Sequence, residues 1–199
     1  VMKLQLPAAD TFQFHAGQYV EFLLRDGDRR SYSMANAPHT QTAGPQVELH
    51  LRHMPGVRFT DHVFREMKEK DILRMEGPFG SFFLREDSDK PMVLLASGTG
   101  FAPIKAIIEH MRHKDINRPA TLYWGGRRPA DLYQSAWIEA QLAAMPNLRY
   151  VPVISDALPE DAWTGRTGFV HRAVVEDTPN LSGHEVYACG APIVIESAK

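Results

Sequence analysis

A glycine-containing turn between an apolar strand and an apolar helix stripe is the first group of residues that could do chemistry. The turn, Ser97-Gly98-Thr99-Gly100-Phe101-Ala102-Pro103, follows the apolar run 91–96. Its glycines let the backbone approach a ligand closely, and the free amides and dipole of the helix start favour a pyrophosphate. The turn therefore predicts a dinucleotide site, although a tight strand-to-helix connection without a ligand could carry the same residues.

This turn departs from the usual G-x-G-x-x-G pattern. Pro103 stands where the third glycine would be, in the first helical turn, where proline is tolerated. Arg118 and Pro119 stand where the ribose-binding acid is expected, about 20 residues further on. A standard Rossmann assignment is therefore wrong in detail.

Cysteine and histidine usage argues against a metal site in this chain. Cys189 is the one cysteine, which excludes a disulfide framework and an iron–sulfur cluster held by four cysteines of the chain. Among the nine histidines, the close pair His110 and His113 has helical spacing but lacks further ligands nearby. We expect no metal, and Cys189 taken alone would be a small apolar residue at a strand end.

The elements that must position these residues follow two different rhythms. Up to Leu84, short apolar runs with partial alternation are separated by Gly, Pro, Asp and Asn, which predicts an antiparallel all-β unit, a sandwich or a barrel. A helix is predicted over 60–67, with Thr60 or Asp61 as its N-cap. The predicted strands lie near 4–6, 19–24, 47–51, 72–75 and 82–84.

The remainder of the chain alternates apolar strands with amphipathic helices. The pattern predicts strands near 91–97, 120–125, 148–154 and 185–189, and helices near 103–113, 131–144, 167–176 and from 192 to the end. Such alternation indicates a parallel sheet covered by helices on both faces, with ligands bound where strands end. Asp131 is expected to cap the second of these helices. We therefore predict two domains, 1–87 and 88–199.

Charge and hydropathy exclude several other classes of protein. The formal net charge is −2 with both signs interspersed, which predicts neither nucleic-acid nor membrane binding. No apolar run approaches the roughly 20 residues that span a bilayer, and Val1–Gln5 alternate unlike a signal peptide, so a cytoplasmic location is expected. The start at Val1 and the end within a helical pattern suggest a truncated piece of a longer protein.

Three motifs together resemble the ferredoxin–NADP⁺ reductase superfamily. Arg30-Ser31-Tyr32-Ser33-Met34-Ala35-Asn36 resembles its R-x-Y-S flavin motif, and Gly98–Pro103 resembles its nicotinamide-nucleotide loop. Cys189-Gly190-Ala191-Pro192 is similar to its third signature, and the order and spacing match. The resemblance implies an all-β Greek-key barrel that binds FAD, followed by an α/β parallel-sheet domain that binds NAD(P).

In the first domain, the resemblance implies roles for three segments. Arg30 would neutralise a flavin phosphate, Tyr32 would lie against the isoalloxazine, and Ser33 would hydrogen-bond its reactive nitrogen. The backbone of His50-Leu51-Arg52 would pair with the edge of the flavin ring, and Arg52 could reach phosphate. The turn Gly56-Val57-Arg58-Phe59-Thr60 would present amides and a hydroxyl to the pyrophosphate. Val57 departs from the second glycine of many relatives, and FAD is favoured over FMN.

In the second domain, the resemblance implies that Gly98, Thr99, Gly100 and Pro103 form the nucleotide loop. Cys189, followed in register by Gly190 and Pro192, would approach the nicotinamide carbon that gives up hydride. Its expected role is packing and polarisation, because no adjacent histidine or lysine would make it a thiolate nucleophile. Arg127, followed by Arg128, would lie near the adenosine ribose. NADH is favoured, and NADPH stays open.

The implied activity is hydride transfer from NAD(P)H to FAD, followed by delivery of single electrons to an iron–sulfur centre or another acceptor. The branch of the family that contains CDP-6-deoxyglucoseen reductases and oxygenase reductases often adds a [2Fe–2S] ferredoxin domain, which could precede Val1. Two alternatives stay open. The chain could be a flavin-bearing electron-transfer subunit of a larger complex, as in dihydroorotate dehydrogenase assemblies, or a nucleotide-binding module without redox function.

Overall fold

The first half of the chain forms two antiparallel sheets. The computed structural model describes residues 1–8, 11–42 and 44–198. The elements are β1 (Met2–Gln5), β2 (Tyr19–Leu23), β3 (Arg29–Ser33), β4 (Gln46–Leu49), α1 (Arg58–Arg65) and β5 (Met75–Phe79). One sheet has the order β3-β2-β5 and the other pairs β1 with β4, while a bridge between Met34 and Leu49 connects them.

Alternation along these strands fills the core of the first half. Val20 and Phe22 of β2, and Val47 and Leu49 of β4, are almost fully buried, while the strand residues between and before them are not. Successive side chains of a strand point to opposite faces, so each strand contributes every second residue. The helix α1 adds Phe59 to the same cluster.

The second half is a parallel five-stranded sheet with helices between the strands. The elements are β6 (Met92–Ser97), α2 (Phe101–His113), β7 (Ala120–Gly126), α3 (Ser135–Ala144), β8 (Leu148–Ile154), β9 (Arg166–Thr167), α4 (Val170–Asp177), β10 (Glu185–Cys189) and α5 (Pro192–Ser197). The strand order in the sheet is β10-β6-β7-β8-β9. The longest helix, α2, has 13 residues, and no described helix is both long and apolar enough to cross a membrane.

Both faces of this sheet are buried, as a parallel sheet requires. Leu94 and Ala96 of β6 belong to one core cluster with α2 and α3, whereas Val93 and Leu95 belong to another with α4. The predicted fold class is therefore confirmed, with antiparallel sheets followed by a helix-covered parallel sheet. The two-residue strand β9 was not predicted from the sequence, because it lies in a loop rich in small and polar residues.

Four local predictions differ from the structure. The strand predicted near 72–75 lies at Met75–Phe79, because its pairing with β2 begins only at Met75, and Ile72 is 94% exposed. The segment 82–84 is not a strand, because Phe82 and Leu84 pack into the core of the second half. The helix predicted from 131 begins at Ser135, and Asp131 does not cap it. Instead, its carboxylate accepts hydrogen bonds from the amides of Arg127 and Arg128, at 2.9 and 3.3 Å, and closes a 3-10 turn over 129–131.

The helix predicted over 60–67 begins two residues earlier, at Arg58, with Val57 at the N-cap position. Neither Thr60 nor Asp61 is its N-cap, as both lie within the first helical turn. Asp61 still stabilises the helix start, since its carboxylate accepts a hydrogen bond from the amide of Gly56 at 3.0 Å.

Candidate active site

The nucleotide loop connects β6 to α2 through a 3-10 turn over Gly98–Gly100. Its two glycines are required for different reasons. Gly98 has φ +54°, and no described neighbouring atom lies within 4 Å of the position that a Cβ would take. Gly100 has no such space, because its Cβ would lie 2.2 Å from the carbonyl oxygen of Cys189. Gly98 therefore keeps the loop open towards a ligand, whereas Gly100 allows two loops to touch.

The loop that touches Gly100 follows β10 and contains Cys189 and Gly190. Strand β10 pairs with β6, with Cys189 opposite Ala96. A Cβ on Gly190 would lie 2.7 Å from the Cβ of Ser97, so there is no room for a side chain at Gly190 either. Burial raises the pKa of the Cys189 thiol, which keeps it protonated at neutral pH and agrees with a packing role.

A cavity of about 510 Å³ lies at the carboxyl ends of the parallel strands. Gly98 and Arg127, both predicted site residues, line it, and so do Gly125 and Gly126 at the end of β7. Ala191, Ile193 and Val194 close it from the side of α5. The cavity therefore lies where ligands bind in open parallel sheets.

Three further residues that the sequence analysis missed line this cavity. Phe169, His171 and Arg172 lie at the start of α4. The rings of Phe169 and His171 stack with centroids 5.8 Å apart, and Phe169 is 57% exposed. The signal available in the sequence was the pair Gly168-Phe169 between a strand and a helix. The sequence predicted only a helix near 167–176 for this segment.

The two arginines after β7 have different surroundings. Arg128 makes a bidentate ion pair with Asp161, with distances of 2.6 and 2.7 Å, which fixes its guanidinium. The side chain of Arg127 is 64% exposed, lines the cavity and lies 3.9 Å from Asp131. Only Arg127 of the two is therefore placed to meet a ligand.

On the flavin side, β3 presents Arg30 and Tyr32 on one face, opposite Phe22 and Val20 of β2. The Tyr32 ring packs on Phe59, with ring centroids 5.5 Å apart, and burial raises the pKa of its hydroxyl. Ser31 points to the other face, where its hydroxyl donates to Glu21 at 3.2 Å. Arg30 and Tyr32 thus share a surface that the side chain of Ser31 does not reach, while Ser33 is half-buried at the strand end.

Two arginines of the flavin half converge on the turn Asp26-Gly27-Asp28. Arg30 pairs with Asp28 at 3.1 Å, and Arg58 pairs with Asp26 at 2.6 Å. The side chain of Arg58 is 81% exposed and that of Arg30 is 38% exposed. Both cations therefore remain accessible to an anionic group.

The turn Gly56–Thr60 uses part of its hydrogen-bonding capacity internally. The Thr60 hydroxyl accepts from the amide of Met54 at 3.2 Å and is 3.0 Å from its carbonyl oxygen. Thr60 and Phe59 are buried, so their side chains shape the turn. The backbone amides of the first turn of α1 are the groups left for an anion, because a helix start has no intrahelical acceptors for them.

A second cavity, of about 280 Å³, lies at the junction of the two halves. His50, Leu51 and Arg52 line it from the flavin half, and Gly98 and Thr99 line it from the nucleotide loop. It shares Arg52, Gly98 and Asp131 with the larger cavity, so the two are adjacent. Some predicted residues of both halves therefore meet at one place, whereas Tyr32, Ser33 and Cys189 line neither cavity.

His50 has a side-chain role that the sequence analysis missed. Its ring is buried, with Nε2 3.0 Å from Glu48 and Nδ1 2.7 Å from the hydroxyl of Tyr133. Burial alone would raise the pKa of Glu48, but the hydrogen bond from His50 and the charge of Lys105 outweigh it and lower the pKa to about 2. Since Glu48 is ionised, Nε2 donates to it, and in the neutral ring Nδ1 accepts from Tyr133.

Comparisons with known proteins identify the family of both halves of the chain. Residues 1–84 match the oxidoreductase FAD-binding domain family and residues 94–199 match the oxidoreductase NAD-binding domain family. All of the chain aligns with a CDP-6-deoxy-L-threo-D-glycero-4-hexulose-3-dehydrase reductase of Yersinia pestis at 43% identity, and with reductase component 1 of terephthalate 1,2-dioxygenase of Comamonas sp at 39%. It spans 58% of the length of each of these relatives.

A solved structure, that of the cytochrome P450 reductase GcoB of Amycolatopsis, superposes with a TM-score of 0.85 at 37% identity. The superposition covers 96% of this chain and 57% of the GcoB chain. The resemblance inferred from three sequence motifs is confirmed by these matches. The chain belongs to the ferredoxin reductase-like family of oxidoreductases, with an FAD-binding domain followed by an NAD-binding domain.

Proposed function

We propose that this chain is an NAD(P)H-dependent flavoprotein reductase module that moves hydride from a nicotinamide to FAD and then single electrons to an iron–sulfur centre. The observation that carries the proposal is the adjacency of the two cavities, which share Arg52 and Gly98 as lining residues. A dinucleotide in the larger cavity would extend to the junction that His50–Arg52 line. Positioning two rings at near contact is the main catalytic contribution that a protein makes to such chemistry.

The residues of the first half fit a flavin dinucleotide. Arg30 and Arg58 are accessible cations, and the first-turn amides of α1 add donors for a pyrophosphate. Tyr32 offers a half-buried ring supported from behind by Phe59, as a stacking surface requires. When bound, the flavin supplies an acceptor for two electrons that can be given up one at a time. Two cations and a helix start favour FAD over FMN.

The residues of the second half fit a nicotinamide nucleotide. Gly98 leaves the loop open, and Cys189 would lie against the nicotinamide as a neutral thiol. Arg127 would lie near the ribose. We infer a preference for NADH, because Asp161 engages Arg128 and Asp131 lies beside Arg127, which weakens a site for an additional phosphate. Phe169 is suited to stack on the adenine.

The electron acceptor is inferred from the relatives. Their names describe a dehydrase reductase and the reductase component of a dioxygenase, which are proteins that deliver electrons to another protein. We propose a [2Fe–2S] ferredoxin-type domain as the first acceptor, in the same polypeptide or in a partner. A cytoplasmic location and the domain limits 1–87 and 88–199 stay predictions.

The experiment that tests the proposal is a spectrum of the purified protein with FAD added, followed by anaerobic mixing with NADH or NADPH. We expect a bound flavin whose absorbance bleaches faster with NADH. A protein that binds nucleotide but retains no flavin would instead support a module without redox function. Reduction at equal rates by both nucleotides would remove the inferred preference and leave the hydride step intact.

A further inference from the structure

One face of α2 contacts the loop that follows the flavin strand β3. The helix contributes three side chains spaced four residues apart, those of Lys105, Glu109 and His113. They contact three residues of the loop that are spaced two apart, Ala35, Ala37 and His39. Lys105 donates to the carbonyl of Ala35 at 3.1 Å, and Glu109 accepts from the amide of Ala37 at 3.0 Å. The rings of His39 and His113 stack with centroids 3.9 Å apart.

The geometry of the two segments explains this match. Four residues advance a helix by about 6 Å and two extended residues by up to about 6.6 Å, which suits the step from Ala35 to Ala37, whereas His39 lies in the 3-10 turn Pro38–Thr40 that follows. Ala37 is extended, with φ −84° and ψ 154°. Close approach is permitted because Ala16, Ala37 and Ala106 are the side chains between the two segments.

Lys105 is the most enclosed charged residue of this contact, with 4% of its surface exposed. Besides Ala35, its Nζ contacts Glu109 at 2.5 Å and Glu48 at 3.3 Å, and it lies 5.0 Å from the ring centre of Trp137. A buried cation is retained only where carboxylates and hydrogen bonds replace its water. Two carboxylates and one carbonyl do so here.

The partners of Lys105 belong to both halves of the site. Along α2, Lys105 lies one helical turn after Phe101, where the nucleotide loop ends. Ala35 lies two residues after Ser33 of the flavin motif, and Glu48 lies two residues before His50. One ammonium group therefore connects α2, which begins where the nucleotide loop ends, with strand β4 and with the loop that follows β3.

We propose that Lys105 is a positioning residue for the hydride step, which it supports by holding the nucleotide loop at a fixed distance from the flavin strands. The proposal rests on the proposed function for the step itself. Lys105 does not line either cavity of the site, so it acts through Ala35 and Glu48. A displacement of about 1 Å in such a support is enough to slow a reaction by up to about 100-fold.

The test compares Lys105→Met with Lys114→Met, which makes the same change at the exposed residue that follows α2. With FAD bound and NADH mixed in anaerobically, we expect Lys105→Met to lower the limiting rate of flavin reduction at least about tenfold. The dissociation constants for FAD and NADH should change by less than about threefold, because no binding group is removed. Lys114→Met should match the unaltered protein in the limiting rate and in both dissociation constants. An unchanged limiting rate in Lys105→Met would overturn the proposal.

A second readout does not depend on catalysis. In the flavin-free protein, Lys105→Met should speed the hydrogen exchange of the Ala37 amide and of the loop 98–101, and Lys114→Met should not. If the unaltered protein shows no hydride transfer at all, the proposed function fails while the exchange result still tests the support. Equal exchange in both variants would contradict it.

A milder variant covers the case in which Lys105→Met does not fold. Glu109→Gln keeps the shape of the side chain but removes the charge that pairs with Lys105 and weakens the acceptor for Ala37. We expect it to lower the limiting rate about threefold, whereas Glu139→Gln on the exposed side of α3 should leave it unchanged. Equal rates in these two variants would overturn the proposal.

Discussion

The two halves of the site are built by different forces. At the nucleotide loop, Gly100 and Gly190 let two backbones touch, and no side chain fits between them. In the flavin half, Arg30 of β3 and Arg58 of α1 are held by ion pairs with Asp28 and Asp26. A backbone contact tolerates no added atom, whereas an exposed ion pair can exchange one anion for another at small cost. The first half can therefore adapt to its ligand, and the loop of the second must be preformed.

Substitution of Gly100 by alanine should have the largest effect. The added Cβ would lie 2.2 Å from the carbonyl oxygen of Cys189, so the two loops must separate. We expect Gly100→Ala to lower the free energy of unfolding by about 2–3 kcal/mol, measured by urea denaturation of the flavin-free protein. Affinity for NADH should fall as well, because the loop and Cys189 move together.

Gly183→Ala is the matched control for this prediction. Gly183 is exposed, and no described neighbouring atom lies within 4 Å of its Cβ position. Its substitution should leave stability within about 0.5 kcal/mol of the original. Similar losses of stability in both variants would show that the contact of Gly100 with Cys189 is not what shapes the loop.

The same contrast explains which parts of the site could be predicted from the sequence. The nucleotide loop is local: an apolar strand, two glycines and a helix stripe are contiguous in residues 91–113, so its structure followed from pattern alone. The fold of the second half followed for the same reason, since each of its units repeats that local pattern. Phe82 and Leu84 were misassigned because their packing partners, such as Tyr187, lie about a hundred residues away.

Loss of Arg30 should have the next largest effect and should act on the flavin half alone. We expect Arg30→Ala to raise the dissociation constant for FAD about 10- to 100-fold, the range for a charge-assisted hydrogen bond. Stability of the flavin-free protein should change little, because the pair with Asp28 is exposed. Titration of the flavin-free protein with FAD, monitored by flavin fluorescence, measures the FAD affinity of the variant and of the original protein.

Arg29→Ala provides a control on the same strand. Arg29 points to the opposite face, where it pairs with Glu21 at 3.0 Å and Glu76 at 2.7 Å. Its removal should leave FAD affinity within about twofold, as expected for a residue that makes no ligand contact. A comparable loss of affinity in both variants would mean that general positive charge, and not the face of β3, holds the cofactor.

Side chains that join the two halves could not have been predicted. His50, Lys105 and Glu109 carried no pattern that distinguished them from surface polar residues, and His50 was assigned a backbone role. Their roles depend on contacts with Tyr133, Ala35 and Glu48, which cross between the two halves of the chain. Burial of charge at a domain interface is a tertiary property that one sequence read alone does not reveal.

Substitution of Cys189 should separate binding from chemistry within the second half. We expect Cys189→Ala to leave FAD affinity unchanged and to lower the limiting rate of flavin reduction by NADH about tenfold, because the nicotinamide loses a packing partner. Stopped-flow absorbance under anaerobic conditions measures the rate. The limiting rate of the isosteric Cys189→Ser should lie between those of the original protein and Cys189→Ala. A normal rate of flavin reduction in Cys189→Ala would remove the proposed role of this residue.

The smallest expected effect concerns pH and the stacked histidines between the halves. Burial lowers the pKa of His39, the charges of His113 and His110 lower it further, and Glu109 opposes them. Because its folded pKa lies below the unfolded value of about 6.5, the unfolded state binds the proton first, and stability falls as the pH drops below about 6.5. The loss should stay below about 1 kcal/mol, since the ring is only partly buried.

Glu48, with a pKa of about 2 against 4.5, contributes stability that is lost only between about pH 4.5 and 2. The effects of His39 and Glu48 on stability therefore occupy separate pH ranges. Urea denaturation of His39→Gln between pH 7.5 and 5.5 should show a shallower decline than the original protein, and parallel declines would assign the effect to other histidines.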